Sequence, residues 1–97
     1  MRLISKSTLR EYWIENPDAE GELRKWCYVI EHAKWQKPTE VKEKYGNASI
    51  VTHDRIVFNI CGNNYRIVAQ VKFKAQTVII RFVGTHKEYD KVDAREI

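Results

Sequence analysis

The chain has 97 residues, a length that allows one domain with one modest hydrophobic core. Hydrophobic residues make up 43% and charged residues 31%, which excludes a disordered chain, and no run of about 18 apolar residues is present to form a membrane-spanning helix. The net charge of +4 weakly favours polyanionic partners through electrostatic steering.

The N-terminus and the cysteines bear on the cellular compartment. The opening MRLISKSTLREYW has no hydrophobic signal core. Cys27 and Cys61 have no CxxC spacing and no histidine cluster beside them, so they are predicted to be reduced structural residues. The sequence therefore predicts a cytoplasmic protein, with residues 1–97 forming a single domain and no membrane association.

The first third of the chain has the pattern of a short strand followed by two helices. Residues 1–5 alternate and are predicted to form an edge strand. Thr8 with Glu11 three residues later fits a capping box, which predicts a helix from that point. Pro17 ends this helix, because a residue that precedes proline avoids the α region. A second helix, capped by Asp18, is expected over residues 18–34.

Both predicted helices carry an apolar stripe at i, i+3, i+4 spacing. The stripes consist of Leu9, Tyr12 and Trp13 in the first helix and of Leu23, Trp26, Cys27, Ile30 and Ala33 in the second. Because the link between the helices is short, we expect a helical hairpin whose stripes cover one face of a sheet. Trp35 lies off the stripe and is more open to contact with a partner.

The rest of the chain reads mainly as strands. We predict a helical turn at residues 39–44, a brief strand at 48–52, and three antiparallel strands at 55–61, 65–74 and 78–83. Gly62-Asn63-Asn64 supplies residues that tolerate positive φ in a hairpin turn. Residues 91–97 are too few and too charged to predict an element. The predicted fold class is α+β, with an N-terminal helical hairpin packed on a mainly antiparallel sheet of about four strands.

One face of this sheet is apolar and the other is basic. Apolar and polar residues alternate with a period of two, so Val78, Ile80 and Phe82 are expected to share the apolar face. The opposite face can carry one arginine from each of the three strands, namely Arg55, Arg66 and Arg81. A basic face on so small a sheet is the best indication of function in the sequence.

The chemistry open to this chain is narrow. The sequence has no HxxxH or CxxC ligand pair, no P-loop, no dinucleotide fingerprint and no GxSxG elbow, so we expect no metal and no cofactor. RNA can be cut without a metal through attack of its own 2′-hydroxyl on the phosphate. Arg66 and Arg81 suit stabilisation of the phosphorus centre. His86 suits the role of acid or base, and Tyr89 suits base stacking or proton donation.

Each of these residues also has a purely structural interpretation. Arg66, Lys72 and Lys74 also fit the solvated face of a one-sided sheet. Arg81 also fits a residue that extends along apolar surface or pairs with a carboxylate. A lone histidine such as His86 is more often a loop residue than a catalyst.

The runs VFNICGNNYRIVAQVKF and VIIRFVGTHKEYDKVD resemble the HigB-type toxins of bacterial toxin–antitoxin systems, a branch of the RelE superfamily. The resemblance covers nearly the whole chain. It implies a RelE-like α+β domain and an mRNA interferase, a metal-independent ribonuclease that typically cuts translated mRNA on the ribosome. It also implies a HigA-type helix-turn-helix antitoxin as partner, with operator DNA bound only through the toxin–antitoxin complex.

Carried over by motif position, the resemblance indicates Arg66 of NNYR as a phosphate contact and His86, Lys87 and Tyr89 of THKEYD as the active-site tail. Arg81 completes the predicted catalytic set. Contacts to RNA or the ribosome are expected from the basic residues Arg55, Lys72, Lys74, Lys42 and Lys44. The alternative is a noncatalytic module, or a degenerate toxin, that binds RNA or antitoxin without cleavage.

Overall fold

The computed structural model describes residues 1–62 and 64–97, and the elements named here belong to that part of the chain. The strands are β1 (Arg2–Ile4), β2 (Ser49–Thr52), β3 (Arg55–Ile60), β4 (Tyr65–Lys72) and β5 (Thr77–Thr85). The helices are α1 (Lys6–Glu15), α2 (Glu20–His32), α3 (Pro38–Lys44) and α4 (His86–Tyr89), with a 3-10 turn at Pro17–Ala19 between α1 and α2. The predicted α+β class is therefore confirmed.

The described strands form one mixed sheet in the order β1-β5-β4-β3-β2. The pairs β2–β3, β3–β4 and β4–β5 are antiparallel, whereas β1 lies parallel to β5 at one edge. The sheet has five strands in residues 1–62 and 64–97, so the prediction of about four was wrong. The edge strand predicted at residues 1–5 is observed as β1, so the count was too low although this strand itself was predicted.

The helices α1 and α2 contribute to a core on one face of the sheet. This core is made of buried side chains from both helices and from the central strands, including Leu9, Trp13, Leu23, Trp26, Ile30, Ile56, Phe58, Ile67, Ala69, Val71, Val78 and Ile80. Lys6 lies 3.2 Å from Glu31, and Arg24 lies 4.8 Å above the Trp13 ring, so each end of α1 contacts the opposite end of α2.

Trp35 belongs to this core, and its predicted availability to a partner was wrong. Only 9% of its surface is exposed, and its ring meets Tyr45 edge-to-face at 6.5 Å. Its carbonyl accepts a hydrogen bond from Gln76 Nε2 at 2.6 Å. Trp35 follows the end of α2 at His32, so its place in the core does not depend on the helical stripe.

The predicted helix caps also differ from the observed ones. Helix α1 begins at Lys6 after Ser5, whose φ is 67°, and no side chain caps it, so Thr8 and Glu11 do not form a capping box. Asp18 lies in the 3-10 turn and does not cap α2; its carboxylate instead accepts a hydrogen bond from the Tyr65 hydroxyl at 2.6 Å. The predicted hairpin turn at 62–64 includes Asn63, which lies outside the described residues, while Cys61 and Gly62 have φ of 54° and 62°.

A bulge in β5 changes which residues face the helices. Val68 pairs with Phe82 while Ala69 pairs with Ile80, so Arg81 is the extra residue between them. The predicted grouping of Phe82 with Ile80 is therefore wrong, because Phe82 is turned to the opposite face. There it packs near Val57, Val68 and Ala94, as part of a second and smaller apolar cluster.

The second face of the sheet is thus partly covered rather than open. Helix α4 and the C-terminal residues fold over it, and Ala94 and Ile97 pack against the second cluster. Successive turns over residues 93–97 are closed by hydrogen bonds from the amides of Glu96 and Ile97 to the carbonyl of Asp93. Residues 91–97 are therefore held in place by packing against the sheet, which their charged sequence alone does not predict.

Candidate active site

Arg66 and Tyr89 form the most specific contact on the second face. The Arg66 guanidinium carbon lies 5.0 Å from the centroid of the Tyr89 ring, a cation–π arrangement. Tyr89 in turn packs at a tilted angle against Phe82, with 6.4 Å between ring centroids. Arg66 lies on β4 directly opposite Gly84 of β5. The strand pairing therefore fixes the backbone of Arg66, and the Tyr89 ring fixes its guanidinium group.

Arg66 has no carboxylate partner among residues 1–62 and 64–97. Its Nε is buried and makes no hydrogen bond within that part of the protein. A guanidinium that is held by stacking can keep its two terminal nitrogens available, and two donors in one plane match a phosphate. Arg66 is therefore preorganised for an anion.

Helix α4 is set at the end of β5 by a capping box. The Thr85 hydroxyl accepts the Glu88 amide at 3.2 Å, and Glu88 Oε1 accepts the Thr85 amide at 2.8 Å. The second of these bonds is the main reason that the pKa of Glu88 lies below its ordinary value. The pattern Thr-x-x-Glu at residues 85–88 carries this signal in the sequence, although we did not identify it there.

Gly84 allows α4 to turn close to the strand. A Cβ at this position would lie 2.6 Å from the tip of the Phe82 ring and 3.2 Å from both Cβ and Oε1 of Glu88. We expect Gly84→Ala to reduce the free energy of unfolding by about 1–3 kcal/mol, as overpacking does, and to disturb the contact between Arg66 and Tyr89.

Chemical denaturation would measure the effect of Gly84→Ala, with Gly21→Ala as the matched control. A Cβ at Gly21 meets nothing within 4 Å, and Gly21 lies in the first turn of α2, so alanine there should be neutral or slightly stabilising. Equal stability of the two variants would show that α4 does not need the close approach at Gly84.

His86 and Asp90 face each other along α4 and its end. His86 Nδ1 lies 3.4 Å from Asp90 Oδ2, and each side chain is more than half exposed. A carboxylate at Nδ1 favours the tautomer with the proton on that nitrogen, which leaves Nε2 free to accept a proton. His86 and Tyr89 are three residues apart, so they share one side of this single turn, whereas Lys87 points to another side. Asp90 was absent from the residues predicted from the sequence.

Arg81 lies further along the same face. Its Nε and one terminal nitrogen donate to Gln70 Oε1 at 3.1 and 2.5 Å. Gln70 is four residues from Arg66 on β4, which corresponds to about 13 Å along the strand. The structure therefore separates Arg81 from the pair of Arg66 and Tyr89 by the width of the apolar pair Val68 and Phe82.

Arg55 is engaged within the protein. Only 12% of its side chain is exposed, and its guanidinium lies 3.3 Å from Asp54 and donates to the carbonyl of Ile97 at 3.2 Å. A hydrogen bond from Gln70 is the main reason that the pKa of Asp54 is lowered. The predicted contact of Arg55 with RNA is difficult to reconcile with this burial, because its donors serve the C-terminal segment instead.

The four predicted lysines do not gather at one site. Lys72 and Lys74 are exposed at the end of β4 that is remote from Arg66. Lys42 donates to the carbonyls of Gly46 and Ala48 at 2.9 and 2.6 Å, which ties down the chain after α3. Lys44 lines a depression with residues of α2, the helix that covers the other face of the sheet. Lys42 and Lys44 are therefore not part of the surface around Arg66.

An open cavity of about 470 Å³ adjoins the Tyr89 side of the site. Its walls combine apolar and charged side chains, namely Val51, Tyr89, Asp90, Val92, Asp93, Ala94 and Arg95. Within residues 1–62 and 64–97, no three histidine, cysteine, aspartate or glutamate side chains converge as a metal site would require. No helix in the described part of the chain has the length and apolar character to cross a membrane.

Comparison with known proteins gives one consistent family. The sequence model of the HigB toxins, described as the RelE-like toxic component of a toxin–antitoxin system, matches residues 19–92. A protein of Escherichia coli K12 named mRNA interferase toxin HigB is 34% identical over 92 residues, which cover 93% of this chain and 88% of that protein. An mRNA interferase HigB of Shigella flexneri matches with the same identity and coverage. Another, from Escherichia coli O6:H1, is 26% identical over 94 residues, or 95% of this chain and 91% of that protein.

Proposed function

Because this chain belongs to the HigB family of RelE-like toxins, we propose that its active site is formed by Arg66, Tyr89 and helix α4. The chain is the toxin of a toxin–antitoxin system and an mRNA interferase, that is, an endoribonuclease with mRNA as substrate and an antitoxin as partner. The observation that carries the location of the site is the Arg66 guanidinium held over the Tyr89 ring without a carboxylate partner in the described residues.

The proposed reaction uses the 2′-hydroxyl of the RNA as nucleophile. His86 Nε2 removes the 2′-hydroxyl proton, and Asp90 at Nδ1 orients the imidazole and balances the charge that forms on it. The 2′-oxygen attacks phosphorus while Arg66 stabilises the additional negative charge. The bond to the 5′-oxygen breaks, and that oxygen takes up a proton from water, because Lys87 points to another side of α4 than His86 and Tyr89. The products are a 2′,3′-cyclic phosphate and a 5′-hydroxyl end.

Tyr89 has a supporting role in this proposal. Its ring holds the Arg66 guanidinium on one side and borders the open cavity on the other. A nucleobase next to the scissile phosphate can occupy that cavity and contact the ring. Arg81 and Lys72, which lie on the same face, are assigned to the flanking phosphates rather than to the reacting one.

We further propose the cellular setting of the activity. The substrate is mRNA on the translating ribosome in the cytoplasm, and residues 1–97 act as one domain. The antitoxin is a HigA-type helix-turn-helix protein, and operator DNA is bound only by the complex. These proposals rest on the family to which the chain belongs.

In-vitro translation of a defined mRNA, with 5′ ends mapped by primer extension, tests the proposal. We expect new 5′ ends during translation, none on the same RNA without ribosomes, and 2′,3′-cyclic phosphate at the matching 3′ ends. Cleavage of free RNA would keep the nuclease and remove the ribosome requirement. A folded protein that cuts neither substrate would instead be a noncatalytic binding module or a degenerate toxin.

A further inference from the structure

A hydrogen bond connects helix α1 to helix α4 at the end of the β4–β5 pair. The Tyr12 hydroxyl donates to Glu88 Oε1 at 3.4 Å. The same oxygen accepts the Thr85 amide at 2.8 Å, the bond that closes the capping box. Tyr12 and Glu88 are 76 residues apart in the sequence, so this contact depends entirely on the tertiary fold. Helix α1 therefore contacts the side chain that sets the start of α4.

The ring of Tyr12 also contacts the strand that carries Arg66. Tyr12 and Tyr65 meet edge-to-face, with 5.7 Å between ring centroids. Tyr65 precedes Arg66 in the chain and lies directly opposite Thr85 in the strand register. The Tyr65 hydroxyl is held by Asp18 at 2.6 Å. From the helical side of the sheet, Tyr12 thus touches both elements that bring the active-site residues together.

We propose that Tyr12 is a positioning residue for RNA cleavage: acting through Glu88, it fixes the orientation in which α4 presents His86 and Tyr89 beside Arg66. This inference rests on the active site proposed above. A helix of one turn cannot maintain its own orientation, because helix formation is cooperative and short helices are marginal in water. The direction of α4 must therefore come from its cap and from tertiary contacts, and Tyr12 joins the two.

The charge states of the two partners agree with this role. Burial, followed by the negative charge of Glu88, raises the pKa of Tyr12 to about 12. The pKa of Glu88 is lowered, chiefly by the hydrogen bond from the Thr85 backbone. At neutral pH, Tyr12 is therefore a protonated donor and Glu88 an ionised acceptor, as their hydrogen bond at 3.4 Å requires.

Tyr12→Phe is the first test, because it removes the hydroxyl and keeps the ring against Tyr65. We expect kcat for RNA cleavage to fall about tenfold with KM unchanged within about twofold, since the variant loses orientation rather than substrate contacts. The thermal midpoint should remain close to that of the wild type. Tyr28→Phe is the matched control, because Tyr28 is exposed and stacks only on His32 in the described structure; its activity should not change.

A double-mutant cycle tests whether Tyr12 acts through Glu88. Glu88→Ala should lower kcat at least as much as Tyr12→Phe, and the double variant should be no slower than Glu88→Ala alone. Glu88→Gln keeps an acceptor oxygen and should retain most of the activity. If Tyr12→Phe remains about tenfold slower in the Glu88→Ala background, Tyr12 acts by another route and the proposal is overturned.

Amide hydrogen exchange gives a readout that does not depend on activity. In the free protein, Tyr12→Phe should speed exchange of the Thr85 and Glu88 amides about fivefold, as loss of one ordinary hydrogen bond allows, and leave the Phe58 amide of β3 unaffected. Unchanged exchange at α4, or faster exchange with wild-type cleavage, also overturns the proposal. Failure of the active site itself is a separate result, in which Arg66→Ala and His86→Ala retain full cleavage.

Discussion

Arg66→Ala is expected to lower RNA cleavage by about 100- to 1,000-fold while the protein remains folded, which is the range for removal of one donor to transition-state charge. The reason is geometric. The strand register and the Tyr89 ring hold the guanidinium in place before substrate arrives, so no energy is spent on its orientation during the reaction. In cells, the same substitution should relieve growth arrest.

Single-turnover cleavage, with the rate constant measured at saturating protein, is the measurement for Arg66. Arg66→Lys should recover only part of the activity, because lysine keeps the charge but loses the planar pair of donors and the stacking on Tyr89. Arg10→Ala on the exposed surface of α1 is the matched control and should cleave as the wild type does. Wild-type cleavage by folded Arg66→Ala would remove Arg66 from the active site.

The strands of the central sheet were predictable because their pattern is local. Apolar side chains recur with a period of two in residues 55–61 and 65–74, and the observed strands β3 and β4 lie within these ranges. The bulge at Arg81 was not predictable from this pattern. The bulge lies in the run Val78-Ile79-Ile80-Arg81-Phe82-Val83. Both alternating sets of positions in this run are mainly apolar, so the sequence does not show where the side chains change face.

The C-terminal segment shows a second limit of sequence patterns. Residues 91–97 are mostly charged, and their order comes from Ala94 and Ile97 packing over Val57 and Val68. The C-terminal segment also binds Arg55, whose guanidinium donates to the carbonyl of Ile97, and this makes Arg55 a poor candidate for RNA contact. Simple alternation placed Arg55 and Arg66 on one face of the sheet, because periodicity identifies a face but not what covers it.

The candidate site was predictable in its composition and not in its arrangement. The motifs NNYR and THKEYD selected Arg66 and Tyr89, and the structure brings these two into direct contact. Asp90 and Glu88 lie in the second motif but were not selected, since their contacts depend on the direction of α4. Tyr12 was assigned only to the apolar stripe, and its bond to Glu88 joins residues that no local pattern connects.

His86→Ala is the second substitution with a large expected effect, a loss of about 100- to 10,000-fold in kcat, the range for one positioned acid or base. The imidazole is exposed on α4, so its removal should not alter stability, and the effect should appear in the chemical step. Added imidazole should restore part of the rate to His86→Ala, because it supplies the missing base.

Two further variants separate the role of His86 from that of its neighbours. His53→Ala removes a histidine that is even more exposed, at 91% of its side chain against 53% for His86, from the turn between β2 and β3, and it should have no effect on cleavage. Asp90→Asn should lower kcat less than His86→Ala, because the imidazole remains and loses only the carboxylate at Nδ1. If folded His86→Ala cleaves as fast as the wild type, the proton is removed by another group, and α4 serves to hold Tyr89 against Arg66 rather than to carry the base.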